Sequence, residues 1–463
     1  MRRIAAIAAA KTAAALSQTL RLGGGTALPG LVAERVDPKI VPEMAGRLGQ
    51  GSVIVTGTNG KTTTSRLVRS IARAAGLRPV ANRAGSNLMR GIAAALAEAA
   101  RLDGGFSQAK RCVGVFEVDE ATVPEAARAL RPRVIVFTNL FRDQLDRYGE
   151  VEHVAEIWRQ AVRELDHRAT VVLNSDDPSI ASLARVVPGD VLFYGMEDTE
   201  PAQYTLGHAA DARWCTSCGG ELEYSAVFYG HLGHWRCPQC GTARLAPRVA
   251  ATRVRPDGEG TALTVQMLGE EVPARLPLTG LYNAYNALAA VAVASALGIE
   301  PAAIGRGLTS VTAAFGRQER MTVGKRRVQV ILAKNPAGLN EVLRTITADG
   351  SDVNVALFLN DDIADGRDVS WIWDVDFDLL AGHVGSLTVS GNRAWDMALR
   401  LKYAGLDSLP DVGEDAAAAL RQALRSTPEG GDLYVIPTYT AMLKVRELLA
   451  RWAKKPAFWE ERS

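Results

Sequence analysis

The sequence predicts an α/β protein of more than one domain, and three observations carry that prediction. Short apolar runs that read as buried strands alternate with segments of helical periodicity over much of the 463 residues. A loop ending in Gly60-Lys61-Thr62 sits between one such strand and one such helix. Four cysteines stand as two Cys-x-x-Cys knuckles near the middle of the chain. The length exceeds a single core and suggests roughly two to four domains. The 53 basic and 51 acidic side chains leave a net charge of +2, which argues against a nucleic-acid or anionic-membrane partner class. A hydrophobic content of 47% is that of a folded chain.

The N-terminus, residues 1–45, reads as a helical segment. Arg2-Arg3 before an alanine-rich stretch resembles a signal peptide, but Lys11 interrupts it, and Ile4 to Ala10 is too short to span a bilayer. The expectation is an amphipathic helix packed on the body of the protein or resting near a membrane surface. No other segment is apolar enough to cross a membrane, and the expected compartment is the cytoplasm.

The central domain is expected over 46–310. Val53, Ile54 and Val55 form a buried strand, and Leu67, Val68, Ile71 and Ala75 recur at helical spacing until Gly76. Between them Gly57 and Gly60 let backbone amides close around phosphate oxygens at a positive helix N-terminus. Lys61 adds a mobile charge, and the Thr62 hydroxyl can reach Mg²⁺. Gly57, Thr58, Asn59, Gly60, Lys61, Thr62 and Thr63 are therefore the candidate ATP-binding residues. A chance Gly-Lys-Thr in a βα turn is the rival reading, disfavoured by the strand before it and the helix after it. Val113–Phe116, Val134–Phe137 and Val171–Leu173 read as further parallel strands, giving a doubly wound sheet with the loop at a strand's carboxyl end.

From about Glu200 to Arg255 the composition turns to Gly, Cys, Tyr, Trp and His. Cys215, Cys218, Cys237 and Cys240, each pair followed by glycine, have the spacing of a zinc ribbon inserted at about 205–250. Two disulfides are the alternative, disfavoured in a cytosolic setting. Four thiolates fill a tetrahedral shell, so the zinc would be structural. Cys112 stands alone and reads as a core residue. Thr261 to Pro277 is hairpin-like, and Gly280-x-x-Asn283-x-x-Asn286 opens an alanine-rich helix ending near Gly298.

A second, Rossmann-like α/β domain is expected over 311–463, with strands at Val328–Leu332, Val353–Phe358, Ser386–Val389 and Leu433–Ile436. Within it, residues 360–378 hold seven aspartates and two tryptophans. Ile363 and Ile372 stand where a calcium loop needs oxygen, which rules out an EF-hand. Trp371 and Trp373 are residues typical of interface anchors.

Several segments resemble the Mur ligase superfamily of ATP-dependent amide-forming enzymes. The loop Gly57-Thr-Asn-Gly-Lys-Thr62, with Val55 where the general P-loop has glycine, is that superfamily's form. Glu117 ends a strand where a carboxylate can hold Mg²⁺ between phosphates. Thr138-Asn139-Leu-Phe-Arg-Asp143-Gln-Leu-Asp146, Asn174-Ser-Asp176-Asp177 and the Asn283/Asn286 helix start follow in order. Phe315-Gly316-Arg317-Gln-Glu319 resembles the superfamily's inter-domain hinge, whose arginine reaches the nucleotide phosphates. Only about fifty residues precede the loop, where the murein-peptide ligases carry a UDP-binding domain, and Gln144 stands where they have His. No lysine lies between Arg147 and Glu164, where those ligases carry a carbamylated one.

Leu332-Ala-Lys-Asn-Pro-Ala-Gly338, the 360–378 segment and the cysteine ribbon together resemble the MurT family, the synthetase subunits of lipid II isoglutaminyl synthase. The resemblance implies a heterodimer with the glutaminase subunit GatD and lipid II as substrate, at the inner face of the cell membrane. It also implies ATP, Mg²⁺ on Thr62 and Glu117, adenine-side contacts from Asn283 and Asn286, phosphate contact from Arg317, and structural Zn²⁺. Asp368 would complete, in trans, a Cys-His pair on the glutaminase; a loop cap with an exposed carboxylate is its bland alternative. The implied reaction is ATP-dependent amidation of the D-glutamate α-carboxylate through an acyl phosphate. A folylpolyglutamate synthetase-like ligase shares the missing UDP domain but not the ribbon or the Asp368 segment. A P-loop zinc-ribbon protein acting on nucleic acid is the rival from another class.

Overall fold

Alternation along one strand builds the two faces of the first layer. In β1 (Ser52–Thr56) every residue is buried; Val53 and Val55 point to one side of the sheet and Ile54 to the other. The structure, a computed structural model, describes residues 2–19, 28–83, 85–143, 151–207, 210–257, 259–311, 317–406 and 411–453.

Among these, β2 (Arg78–Val80), β3 (Cys112–Glu117), β4 (Val134–Phe137), β5 (Thr170–Asn174) and β6 (Asp190–Met196) pair in parallel with β1 and one another. The hairpin β7 (Glu223–Tyr229) and β8 (Leu232–Arg236) stands apart. β9 (Val249–Pro256), β10 (Thr261–Met267) and β11 (Glu270–Leu276) then extend the sheet in the order β11-β10-β9-β6-β5-β4-β1-β3-β2. The sheet is mixed beyond β9: β10 runs antiparallel to both neighbours, in keeping with the hairpin-like pattern of Thr261 to Pro277. The ribbon also ends before residue 255: β9 pairs with β6 and belongs to the main sheet.

The Val53 face is covered by the Lys61–Ala74, Leu281–Ala296 and Pro301–Thr309 helices. The middle helix is buried continuously from Asn283 to Ala294, and its alanines let neighbours approach on all sides. The Ile54 face carries the N-terminal helices through Ala6, Ile7, Ile40 and Met44, together with Trp158.

A second sheet has the order β12-β13-β17-β14-β15-β16, from β12 (Arg317–Val323), β13 (Arg326–Ile331), β14 (Val353–Phe358), β15 (Val384–Ser390), β16 (Asp411–Gly413) and β17 (Asp432–Pro437). It is parallel except for β12. Its join to the first layer is polar. Gln318, at φ 59°, accepts from the Thr279 amide at 3.0 Å and donates to the Thr279 carbonyl at 2.9 Å. A non-glycine residue in left-handed backbone is uncommon, and here two hydrogen bonds across the join hold it. Among the described residues, no helix is long and apolar enough to cross a membrane.

Candidate active site

After β1 the chain leaves the strand and turns into the Lys61–Ala74 helix. Gly57 and Gly60 lie at φ 132° and 87°. Neither has room for a side chain: a Cβ at Gly57 would sit 2.0 Å from Thr138 Oγ1, and one at Gly60 1.9 Å from Asn286 Oδ1. Glycine is therefore required for conformation and for space.

The loop is held from every side. Asn139 accepts from the Asn59 amide at 2.8 Å, and the Thr138 hydroxyl donates to the Asn59 carbonyl at 2.8 Å. The Phe141 amide donates to Thr58 Oγ1 at 3.0 Å. The Asn59 side chain donates to Tyr229 Oη at 2.9 Å and accepts from Asn335 Nδ2 at 2.9 Å. The β7–β8 hairpin and the second α/β unit thus meet the loop at one residue.

Four charges lie beside it, Lys61 and Glu120 buried and Asp143 and Lys334 partly so. Lys61 Nζ donates to the Gly57 carbonyl and, at 2.9 Å, to Glu120 Oε1. Lys334, from the second unit, pairs with Asp143. Burial opposes the Lys61 charge, but Glu120 more than offsets it and holds the ammonium above its ordinary range. Glu120 is likewise pushed up by burial, yet Lys61 and Lys334 bring it below the usual carboxylate range. Burial pushes the Asp143 carboxyl up, against the pull of Lys334. Two cations balance two carboxylates, and removing one member would leave an unpaired buried charge at a cost of about 3–5 kcal/mol.

Thr62 Oγ1 donates to Glu117 Oε1 at 3.1 Å, so the two expected Mg²⁺ ligands lie side by side. Asn82 orients Glu117 by accepting from its amide at 3.0 Å and donating to its carbonyl at 2.8 Å. Thr63 is buried in the first turn of the helix. Asn283 and Asn286 are buried too: Asn286 donates to Asn283 Oδ1 at 3.2 Å, and Asn283 donates to the Thr279 carbonyl at 2.8 Å. Arg317 opens β12, but its side chain, like Gln144 to Gly149 and Phe315-Gly316, lies outside the described residues.

Asp176 and Asp177 serve structure. Asp177 caps the Pro178–Ser182 helix, accepting from Ser179 and Ile180, and accepts from the Leu140 amide at 2.9 Å. Asp176 accepts from Tyr285 Oη at 2.7 Å and from Arg244 Nε at 2.5 Å, which ties the inserted segment to the sheet.

Sequence reasoning passed over Glu120, Lys334 and Arg142 as functional groups. The only signal for Glu120 is the cluster of acids Glu117-Val-Asp119-Glu120 at the strand's end; Lys334 stood inside a noted motif without a partner.

The four cysteine sulfurs lie within 4.8 Å of one another, with Cys215–Cys240 at 3.6 Å and Cys218–Cys237 at 3.5 Å. A tetrahedral Zn–S length of about 2.3 Å calls for sulfurs about 3.8 Å apart, so the set fits one metal ion. Gly219 and Gly241, at φ 74° and 77°, close the two knuckles in the same way.

Asp368 lies far along the chain, on an exposed loop after β14. The Ser370 hydroxyl and amide hold its carboxyl below the usual carboxylate range, the amide donating to Oδ1 at 2.8 Å. In the Ser370–Asp374 turn that follows, Ile372 is buried and Trp373 is 49% exposed. Trp373 stacks obliquely on Tyr403, ring centres 5.7 Å apart. Tyr403, Leu399 and Trp395 make an exposed apolar stripe along one face of the Ala394–Tyr403 helix.

Residues 55–232 match the Mur ligase middle domain and residues 332–442 the MurT ligase C-terminal domain. The chain is 32% identical over 455 residues, 97% of its length and 98% of theirs, to a lipid II isoglutaminyl synthase (glutamine-hydrolyzing) subunit MurT of Staphylococcus aureus. It is 34% identical to that of Streptococcus pneumoniae, over 93% of each. The chain belongs to the MurT family. Membership makes it an ATP-dependent Mur-type ligase of peptidoglycan synthesis. Solved structures give the same fold at lower identity. A pseudomurein peptide ligase type C from Methanothermus fervidus matches 87% of this chain and 78% of its own (TM-score 0.67, 24% identity). A Mycobacterium tuberculosis folylpolyglutamate synthase matches 89% and 93% (TM-score 0.63, 16% identity), a likeness of fold alone. The MurT-type C-terminal match covers the Lys334 motif and the Asp368 segment.

Proposed function

We propose that this chain amidates the α-carboxylate of D-glutamate in the lipid II stem peptide to D-isoglutamine, as the synthetase subunit of a glutamine-hydrolysing complex. A carboxylate is a poor electrophile and needs a leaving group. Its oxygen attacks the γ-phosphorus of ATP and ADP departs, leaving an acyl phosphate. Ammonia attacks the acyl carbon, phosphate leaves, and the amide nitrogen loses a proton. Lys61 and the amides of residues 57–63 stabilise charge on the phosphoryl group as it transfers. Thr62 and Glu117 would hold Mg²⁺, which when bound neutralises phosphate charge. Asn283, Asn286 and Arg317 serve the nucleotide.

The observation that carries this reading is the Lys61–Thr62–Glu117 constellation at the foot of a strand–loop–helix, in a chain with the MurT-type C-terminal segment. Ammonia comes from a partner glutaminase, whose Cys-His pair Asp368 completes by orienting the imidazole and stabilising its protonated form. The exposed, ionised Asp368 beside Trp373 and the Trp395–Tyr403 stripe suits such a docking face. Cys215, Cys218, Cys237 and Cys240 hold a structural Zn²⁺. The complex works in the cytoplasm at the inner face of the membrane, where lipid II lies, as a peripheral and not a spanning protein.

The test is ADP formation by the purified chain with and without a glutaminase partner. Glutamine-dependent turnover stimulated by lipid II is expected. Turnover driven by a folate and free glutamate instead would overturn the reading.

A further inference from the structure

We infer that Arg142 is a positioning residue that ties the ATP-binding loop to the Asp368 segment, so that the two half-sites of the reaction are aligned together. The inference rests on the role proposed above for Asp368.

Three consecutive residues after β4 reach three different parts of the molecule. Phe141 exchanges hydrogen bonds with Thr58 of the ATP loop, its amide donating at 3.0 Å and its carbonyl accepting at 3.2 Å. Asp143 meets Lys334 of the second α/β unit. Between them, the Arg142 amide donates to Asp211 Oδ2 at 3.0 Å, and its guanidinium also rests on Asp211. The same guanidinium places Nη1 3.2 Å from Asp374 Oδ2.

Asp374 closes the Ser370–Asp374 turn, and Asp368 caps that turn's start. Neighbouring residues of the segment also bond within their own unit. Arg400 donates to the Val375 carbonyl at 2.6 Å, and the Asp376 amide donates to Asn340 Oδ1 at 2.8 Å. The Arg142–Asp374 contact therefore joins the Asp368 turn to the loop that cradles the nucleotide site.

The magnitude tells what the contact is for. The Arg142 and Asp374 side chains are 32% and 41% exposed, so screening leaves the pair a bias of about fivefold or less on any equilibrium. That is too small to hold the fold together and enough to set how often the Asp368 turn sits in register with the ATP domain. Asp211, 6% exposed, anchors the guanidinium and limits its freedom.

The test uses the complex with the glutaminase partner and compares Arg142→Ala, Asp374→Asn and the double variant. Ammonium-dependent amidation should stay close to wild type in all three. Glutamine-dependent amidation should fall about two- to fivefold, with weaker stimulation of glutamine hydrolysis by ATP and lipid II. The double variant should be no worse than Arg142→Ala, which has already lost the Asp374 contact along with its hold on Asp211, and Arg142→Lys should restore part of the stimulation. Additive losses would overturn the inference, as would full stimulation in Arg142→Ala. An equal loss with ammonium would assign Arg142 to the ATP site instead. Asp368→Asn, run alongside, separates the two levels. If it abolishes glutamine use while the Arg142 and Asp374 variants behave as wild type, only this inference fails; if it has no effect, the underlying reading of Asp368 fails and takes this one with it.

Discussion

The ATP loop and the Asp368 segment are built on opposite principles. Around the loop, Lys61, Glu120, Lys334 and Asp143 are paired and shielded, the first two buried and the others partly so, and Thr62, Glu117, Asn59 and Asn139 all have partners on the chain. Around Asp368, the carboxylate, Trp373, Trp395 and Tyr403 face outward. A site that must stabilise a developing charge is organised in advance by its own chain, because reorganisation during reaction is costly. A segment that leaves large rings and an ionised acid in solvent suits the docking face proposed for it.

The largest expected effect breaks the first of these regions. Lys61→Ala should lower ATP turnover by at least about 10³-fold, since it removes the charge that follows the phosphoryl group. It also leaves Glu120 buried with less compensation. The pair Lys61→Ala/Glu120→Gln, which should recover thermal stability but not turnover, separates the two effects. Near wild-type synthetase activity in either variant would sink the phosphate-binding assignment.

Asp368→Asn probes the second region alone. An amide still accepts a hydrogen bond but cannot offset charge on a histidine, so glutamine hydrolysis by the complex should fall about 10²- to 10⁴-fold. Free ammonium at high pH should restore amidation, and the complex should still form through the aromatic face. Normal use of glutamine would return Asp368 to a simple turn cap.

The cysteine cluster lies between these extremes, buried on one side and exposed on the other. Elemental analysis should find one Zn²⁺ per chain. Cys237→Ser should lose it and lower the unfolding midpoint by roughly 2–4 °C for each kcal/mol forfeited, with a smaller effect on ammonium-dependent amidation. Protein purified without chelator and free of zinc would refute this.

The smallest effect concerns the join between the two units. Glu341 is buried beside the first amide of the Leu281–Ala296 helix, and burial pushes its carboxyl up from 4.5 to about 7. A raised carboxyl favours the protonated folded state. Its contribution is full below about pH 4.5, declines as pH rises, and is gone above about pH 7, a total of about 3 kcal/mol. Glu341→Gln should match wild type near pH 4.5 and be the more stable protein at about pH 8, measured by chemical denaturation. Parallel pH profiles would show that Glu341 stays ionised.

Much of this molecule is legible locally. The Val53–Val55 strand, the two glycines and the helix from Lys61 form one continuous stretch, and each residue's role depends on its immediate neighbours. The cysteine knuckles are legible for the same reason. Strands such as Val134–Phe137, buried on both faces, show as unbroken apolar runs. The end of the insert was harder to place: Val249–Pro256 follows the ribbon directly, and only its parallel pairing with β6 assigns it to the main sheet.

Sequence by itself thus determined the α/β class, the strand–loop–helix that carries Lys61 and Thr62, and the pairing of the cysteines into two knuckles. Each of these depends on residue type at short spacing, where backbone geometry leaves little choice. Only the tertiary structure decided which charges meet. Glu120 could have been a solvated strand-end acid, Lys334 a surface lysine and Arg142 a loop cation. Lys334 and Asp143 are 191 positions apart and become partners only when two sheets close on one another. Burial then supplies what no spacing encodes: a low-dielectric setting in which an unpaired charge is costly, so that each must find its opposite.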